Sequence, residues 1–380
     1  MKTQISSGWR AAILMVLTSC LVSAQAQAPT PTPATAAGSQ VVNVYNWSDY
    51  IPEKTIANFE RETGIHVRYD TFESNEVLHT KLVAGRSGYD VVVPSANWAG
   101  LQIQGGLFRK LDKAQLPNYR NLDPKMLHTL DAVDPANQYL VNWAWGFITL
   151  GINTEKVARA IAPLPMPSNT WALLFDPRYV NRLKACGVSV LASATDIFPP
   201  ALHYLGLPAF SRDPAHYEQA AKLMQRIRPA VTLFSSDGYI NDLANGSLCL
   251  ALGYSGDISR AAKRAAADKA GQHIEALIPT TGGILFYDNM AIPADAPNVR
   301  NAHVFINYML RPDVAASVTE LVDYPTMNAA AVPLLSKSTR DNPAVTLSDA
   351  NKRAMVPGGS VPTELRRLMS RLYTHFKSGL

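Results

Sequence analysis

Val41-Val42-Asn43-Val44-Tyr45-Asn46-Trp47-Ser48-Asp49-Tyr50 opens the folded part of this chain, and Asp90-Val91-Val92-Val93-Pro94-Ser95 completes the unit it begins. Val41–Tyr45 has the β-branched and aromatic composition of a strand. Glu53–Glu62 carries Ile56 and Phe59 at helical spacing, with Gly64 where a helix C-cap belongs. His66–Phe72 alternates as a second strand. Ser74 can cap a helix that runs to Val83, and Gly85 ends it. Asp90–Val93 then reads as a buried strand stopped by Pro94. The order β-α-β-α-β predicts an α/β fold with a mainly parallel sheet and right-handed crossovers.

Toward the C-terminus, Tyr139–Thr154 is one long apolar and aromatic stretch, extended enough to cross from one lobe to another. A second α/β set follows. It has a helix at Tyr239–Ala244, a buried strand at Cys249–Tyr254 and an Ala-rich helix at Ile258–Lys269. Strands are expected near His273–Ile278 and Ile284–Ile292, and helices at Val299–Leu310, Asp313–Leu321 and Pro362–Phe376. There is no internal repeat.

Toward the N-terminus, Lys2 and Arg10 precede an apolar run from Ala11 to Val22, and Ala24-Gln25-Ala26-Gln27-Ala28 offers small-x-small cleavage sites. Residues 1–28 therefore read as a secretory signal peptide, too short to span a membrane comfortably. The alternative is a lipoprotein, because Leu17-Thr18-Ser19-Cys20 resembles a lipobox that would anchor the chain at Cys20. Residues 29–40 are Pro, Thr and Ala without apolar period, a disordered linker.

Without Lys2 and Arg10, 33 basic residues face 30 acidic ones. So small a surplus, with no basic run, gives no reason to expect a nucleic-acid partner. Beyond Cys20 two cysteines remain, Cys186 and Cys249. In an exported chain an even pair reads as a disulfide, with two separate buried thiols as the alternative.

In open α/β sheets, ligands sit outside the carboxyl ends of strands. That rule selects Trp47–Tyr50, Ser95, Ser255–Asp257 and the Phe286–Asp288 region. Together these places hold Asp49, Asp257 and Asp288, the aromatics Trp47, Tyr50, Tyr254 and Phe286, and the hydroxyls Ser48 and Ser95. Basic residues are nearly absent until Arg260. A phosphate or carboxylate ligand would need the reverse. Carboxylates with ring faces suit a cation with an apolar body, where cation–π attraction adds about 0.5–2 kcal/mol. Each residue also has a plainer reading. Asp49, Asp257 and Ser95 can be helix caps or turn residues, Asp288 a turn residue, and Trp47, Tyr254 and Phe286 core.

Other chemistries are weak. The eight histidines include no pair at zinc spacing. Gly253-Tyr254-Ser255-Gly256-Asp257 misses the G-x-S-x-G nucleophile elbow by one residue. No P-loop or G-x-G-x-x-G is present. Asn46-Trp47-Ser48 and Asn245-Gly246-Ser247 match the glycosylation sequon, a match frequent by chance.

Tyr45-Asn46-Trp47-Ser48-Asp49-Tyr50-Ile51 resembles the first loop of the periplasmic polyamine-binding proteins of ABC importers. The likeness extends through Ser74-Asn75-Glu76-Val77-Leu78, Val92-Val93-Pro94-Ser95, Ile240–Gly246 and Leu310-Arg311-Pro312-Asp313-Val314, in order, from about Val41 to the C-terminus. It is strongest to the putrescine-binding subgroup. The resemblance implies a type II periplasmic binding protein fold, a "Venus flytrap" of two α/β lobes joined by a hinge of two crossovers. The expected lobes are residues 41–146 with 261–335, and residues 147–260 with 336–380.

Carried over residue by residue, the resemblance makes Trp47, Ser48, Asp49 and Tyr50 first-loop ligand contacts and Ser95 a contact after the third strand. It makes Asp257 and Asp288 the carboxylates that hold ammonium groups, and Phe286 and Tyr324 aromatic walls. The family's disulfide falls on Cys186 and Cys249. Two positions depart from the pattern: Tyr254 stands where Trp is usual, and Asp196 where the putrescine proteins carry Glu. Phe286 matches the putrescine subgroup, since spermidine-preferring relatives tend to have Trp there. The implied order of ligands is putrescine, then cadaverine or agmatine, then spermidine.

The implied role is capture of a polyamine by a periplasmic monomer that delivers it to a membrane permease, with no cofactor, no metal and no catalytic residue. Two other classes are compatible with the same residues. One is a binding protein that signals to a membrane receptor. The other is an exported hydrolase using paired aspartates as acid and base.

Overall fold

The computed structural model describes residues 40–269 and 271–379. The expected signal peptide with Cys20, and the linker as far as residue 39, lie outside the described residues. Among the described residues no helix is long and apolar enough to cross a membrane.

The first five elements follow the predicted order, and a helix the sequence reading did not assign comes after them. In chain order they are β1 (Val41–Trp47), α1 (Glu53–Thr63), β2 (His66–Phe72), α2 (Asn75–Val83), β3 (Val91–Val92) and α3 (Ala96–Gln104). The three strands form a parallel sheet in the order β2-β1-β3. Gly64 ends α1 in the left-handed region at φ 69°, and its N–H donates to Glu60 O at 2.9 Å, a conformation that a Cβ would strain. Ser74 caps α2 by accepting from Val77 N. β3 is shorter than expected at Val91–Val92, although Asp90 N and Val93 N still donate to Asn43 O and Tyr45 O of β1, and the Asp90 side chain adds to that pairing. The Asp90 carboxylate accepts from the N–H groups of Asn43 and Asn298.

Six further strands are β4 (Val141–Asn153), β5 (Val188–Val190), β6 (Leu233–Phe234), β7 (Leu250–Tyr254), β8 (Ile274–Ala276) and β9 (Ile284–Met290). The second sheet runs β6-β5-β7-β4-β8, with β9 also paired to β4. β5 is parallel to β6 and β7, whereas β4 is antiparallel to β7, β8 and β9, so this sheet is mixed.

β4 is buried along its whole length. Val141–Phe147 packs in one core with Val42, Val44 and Val91, while Ile148, Leu150 and Ile152 pack in another with Val188 and Leu252. The same strand is thus shared by two hydrophobic cores. Ala261, Ala265 and Leu277 belong to the core around β5 and β7, and so do Leu365, Met369 and Phe376 of the closing helix Thr363–Ser378. Ala344, Leu347 and Met355 belong to the core around β1.

Between Thr154 and Tyr239 the sequence pattern assigns no element, yet the structure places several helices there. Among them are Thr154–Ile161, Ala194–Tyr204 and Pro214–Ile227. Ala194–Tyr204 contains Pro199 and Pro200, which read locally as breaks; both are buried, and Ile197, Phe198, Ala201 and Leu202 beside them pack in the core around β5 and β7. The disulfide joins Cys186 to Cys249, with Cα atoms 5.5 Å apart, just before the adjacent parallel strands β5 and β7. Closing a loop with a sequence separation of 63 stabilises the fold by about 4 kcal/mol in the chain-entropy model.

Candidate ligand-binding cleft

All eleven residues singled out from the sequence border one cavity of about 470 Å³. It lies beyond the carboxyl ends of β1, β6 and β7, where the end-of-strand rule places a ligand. The local settings differ from expectation in two places. Ser255 and Asp257 lie in the first turn of a helix, Ser255–Ala267, that begins three residues before Ile258. Phe286 and Asp288 are not loop residues but alternate positions of β9, so the two-residue period of the strand turns both toward the cavity.

Asp288 is 4 % exposed, and each of its carboxylate oxygens has a donor. Ser95 Oγ donates to Oδ1 at 2.6 Å and Tyr50 Oη to Oδ2 at 2.8 Å. Ser95 sits at the N-cap position of α3 but does not cap it, because its hydroxyl is turned to Asp288. Asn75 fixes that hydroxyl, donating to Ser95 Oγ and accepting from Ser95 N, both at 3.0 Å. Burial pushes the Asp288 carboxyl up to about 7 against the pull of the two hydroxyls, and the charges of Asp196 and Asp257 push the same way.

Asp257 is held by two tyrosines. Tyr324 Oη donates to Oδ1 at 2.9 Å and Tyr239 Oη to Oδ2 at 3.0 Å. Both glycines of the near-miss elbow motif serve this clamp. A Cβ on Gly253 would lie 2.6 Å from the Tyr239 ring, and one on Gly256 would lie 2.6 Å from both the Tyr324 ring and Val322 O. The motif is a steric clearance for two rings, not a nucleophile turn. Arg260 lies 3.8 Å from Asp257 and 3.4 Å from Asp49, which is exposed and sits in the left-handed region at φ 54°. Burial also raises the Asp257 carboxyl, with Arg260 opposing.

Asp196 lies in the first turn of Ala194–Tyr204, and Tyr254 Oη donates to its Oδ2 at 2.8 Å. The two positions that depart from the resembled pattern are therefore in contact. Burial raises the Asp196 carboxyl, and Tyr254 opposes the rise. The walls are aromatic. Phe286 meets Tyr254 and Tyr324 edge-on, with ring centroids 5.5 and 5.7 Å away, and Tyr50 meets Tyr324 at 5.7 Å. Trp47 donates its indole N–H to Val93 O, which fixes its ring at the cavity edge.

Several bordering residues escaped the sequence reading. Asn75 and Glu76 read only as the start of α2. Asp237 follows β6, a two-residue strand with no pattern of its own. Tyr239, which holds Asp257 from behind without lining the cavity, read only as the start of the helix Tyr239–Ala244. With Glu73, the cavity is bordered by seven carboxylates against one base, Arg260. Another hollow, of about 500 Å³ beside Lys156, Arg159 and Cys186, has neither carboxylates nor rings in its lining.

The family model of bacterial extracellular solute-binding proteins matches residues 54–346. The chain is 44 % identical over 346 residues to the putrescine-binding periplasmic protein SpuD of Pseudomonas aeruginosa, covering 91 % of this chain and 94 % of that one. It is 42 % identical over 346 residues to the putrescine-binding periplasmic protein PotF of Escherichia coli, covering 90 % and 93 %. Among solved structures, a putative spermidine/putrescine ABC transporter protein from Listeria monocytogenes superposes with a TM-score of 0.78 at 31 % identity, covering 89 % of this chain and 99 % of that one. By sequence and by fold, the chain belongs to the bacterial extracellular solute-binding proteins.

Proposed function

We propose that this chain captures a polyamine in the cleft, putrescine foremost, and delivers it to the membrane permease of an ABC importer. The observation that carries the reading is one aromatic-walled cavity that holds the buried carboxylates of Asp257 and Asp288 and the half-buried one of Asp196, with Arg260 as its one base. A dication answers that charge. Its ammonium groups pair with the carboxylates, and its methylenes lie on Phe286, Tyr254 and Tyr324. The names of the most similar relatives support the same ligand class. Only binding is required of these residues, and the chain is a binding protein rather than an enzyme.

The two cores are read as the two lobes. On that reading Asp288 belongs to the lobe around β1 and Asp257 to the lobe around β7, and the chain passes between them through β4, again near residue 284 and a third time between Met355 and Val361. This moves the expected boundary at residue 260 to about residue 280 and assigns residues 336–355 to the first lobe. A dication that touches both carboxylates favours the closed arrangement, because only there are both contacts made. The protein would act as a periplasmic monomer after removal of its leader near Ala26 or Ala28, with anchoring at Cys20 as the other outcome of N-terminal sequencing.

Titration calorimetry of the mature protein with putrescine, cadaverine, agmatine and spermidine tests the reading. Putrescine is expected to bind most tightly, and at 100 times its Kd to add about 2.7 kcal/mol of stability. No heat and no thermal shift with any of the four would overturn it.

A further inference from the structure

Asp323 carries a fully buried carboxylate outside the clamps described above. It is the first residue after the helix Pro312–Val322 and closes that helix in the left-handed region at φ 54°, its N–H donating to Thr319 O at 2.9 Å. Its Oδ1 lies 2.6 Å from Lys263 Nζ, and its Oδ2 has no partner among the described residues. A buried, half-satisfied carboxylate is costly, and apolar residues in place of a buried ion pair are often as stable. Stability alone gives no reason for an ion pair here.

Its position supplies one. Lys263 lies on the helix Ser255–Ala267, whose Ala261 and Ala265 pack in the core around β7. Val322 and Tyr324 pack in the other core. Val322 and Tyr324 of one core, with Asp323 between them, therefore meet a single helix of the other. Gly256 faces Val322 O, Lys263 pairs with Asp323, and Asp257 accepts from Tyr324. Asp257 and Lys263 are six residues apart, so their Cα positions are about 9 Å apart along the helix axis. Two fixed points at that separation set the helix's tilt against the segment 322–324, which one hydrogen bond cannot do.

We propose that Lys263 and Asp323 form a positioning pair that registers this helix on the 322–324 segment, so that the Tyr324 hydroxyl meets Asp257 and the cleft holds its amine. The effect on affinity rests on the polyamine reading; the registration does not. Lys263 is half exposed and Asp323→Asn is isosteric, so Lys263→Met and Asp323→Asn both leave the cores untouched.

The test is a pair of double-mutant cycles that combine Lys263→Met or Asp323→Asn with Tyr324→Phe. In calorimetry with putrescine, each single variant at the pair is expected to weaken binding about tenfold, and to have little further effect once Tyr324→Phe has removed the hydroxyl. Lys263→Arg should restore most of the affinity. In thermal unfolding without ligand, the pair and Tyr324 should be non-additive. Additive effects in the unfolding cycle would overturn the positioning role whether or not an amine binds. Absence of amine binding by the unaltered protein, with non-additive unfolding, would sink the polyamine reading and leave the positioning role standing.

Discussion

Tyr254 Oη donates a 2.8 Å hydrogen bond to Asp196 Oδ2. Where the resembled pattern has Trp and Glu, this chain has a smaller ring with a hydroxyl and a shorter carboxylate, and the two touch. The hydroxyl reaches the carboxylate and holds it in place. Losing that donor leaves a half-buried carboxylate without it, and hydrogen bonds to charged groups contribute about 1.5–3 kcal/mol. Tyr254→Phe should therefore weaken putrescine binding roughly tenfold or more. Calorimetry with Tyr254→Phe checks this, and an unchanged Kd would show that the pair does not act on the ligand.

The carboxylates at the two other clamps should matter more. Asp257→Ala and Asp288→Ala each leave tyrosine or serine hydroxyls facing an amine with no counter-charge. Each is expected to cost about 2–5 kcal/mol of binding free energy. Unchanged putrescine affinity in both variants would remove these two residues from the ligand site.

Affinity should depend on pH through Asp288. Its carboxyl titrates at about 7 in the free protein, and a cation binds its ionised form. Binding should weaken as pH falls below about 7 and should release protons there, measurable by calorimetry in buffers of different ionisation enthalpy. Stability without ligand runs the other way. Between 3.8 and about 7 the folded state holds the Asp288 proton more tightly than the unfolded chain, so this group's contribution is complete below that window and lost as pH rises through it. Compared with Asp288→Asn, the unaltered protein should lose Tm between pH 4 and pH 7; parallel Tm curves would contradict the assignment.

Gly256→Ala tests the clearance beneath Tyr324. Its Cβ would meet a ring and a backbone carbonyl at 2.6 Å, and the carbonyl cannot rotate away. Overpacking of this kind costs about 1–3 kcal/mol, and here it should also pull the Tyr324 hydroxyl from Asp257. Thermal unfolding and putrescine titration should both worsen. A loss of stability with full affinity would separate the two effects.

Substrate choice should respond to Phe286. Its ring meets Tyr254 and Tyr324, and Gly146 lies directly against it, with a Cβ position 2.8 Å from Phe286 Cζ. A larger ring cannot sink deeper and must reshape the cavity. Phe286→Trp is expected to raise the Kd for putrescine relative to that for spermidine. The ratio of the two constants decides, and no change would count against Phe286 as a selector.

The sequence alone was enough for the elements from β1 to α2, because each has a local signal: alternation in His66–Phe72, a serine cap at Ser74 and a left-handed glycine at Gly64. It also pointed to a cation, since carboxylates and rings gather at strand ends while bases do not. Elements without such signals were illegible. The helix Ala194–Tyr204 contains two prolines, and β6 is two residues long. Only the tertiary structure decided which plain readings give way. It turned Ser95 from a cap into a donor to Asp288, and Gly253 and Gly256 from a catalytic-looking motif into clearance for Tyr239 and Tyr324. It also brought Tyr254 to Asp196 and Lys263 to Asp323 across 58 and 60 residues of sequence. A residue type and its neighbours fix what a side chain can donate, accept or bury. Which partner it meets depends on how sheets and helices from distant segments pack, and that is set by two cores that share one long strand.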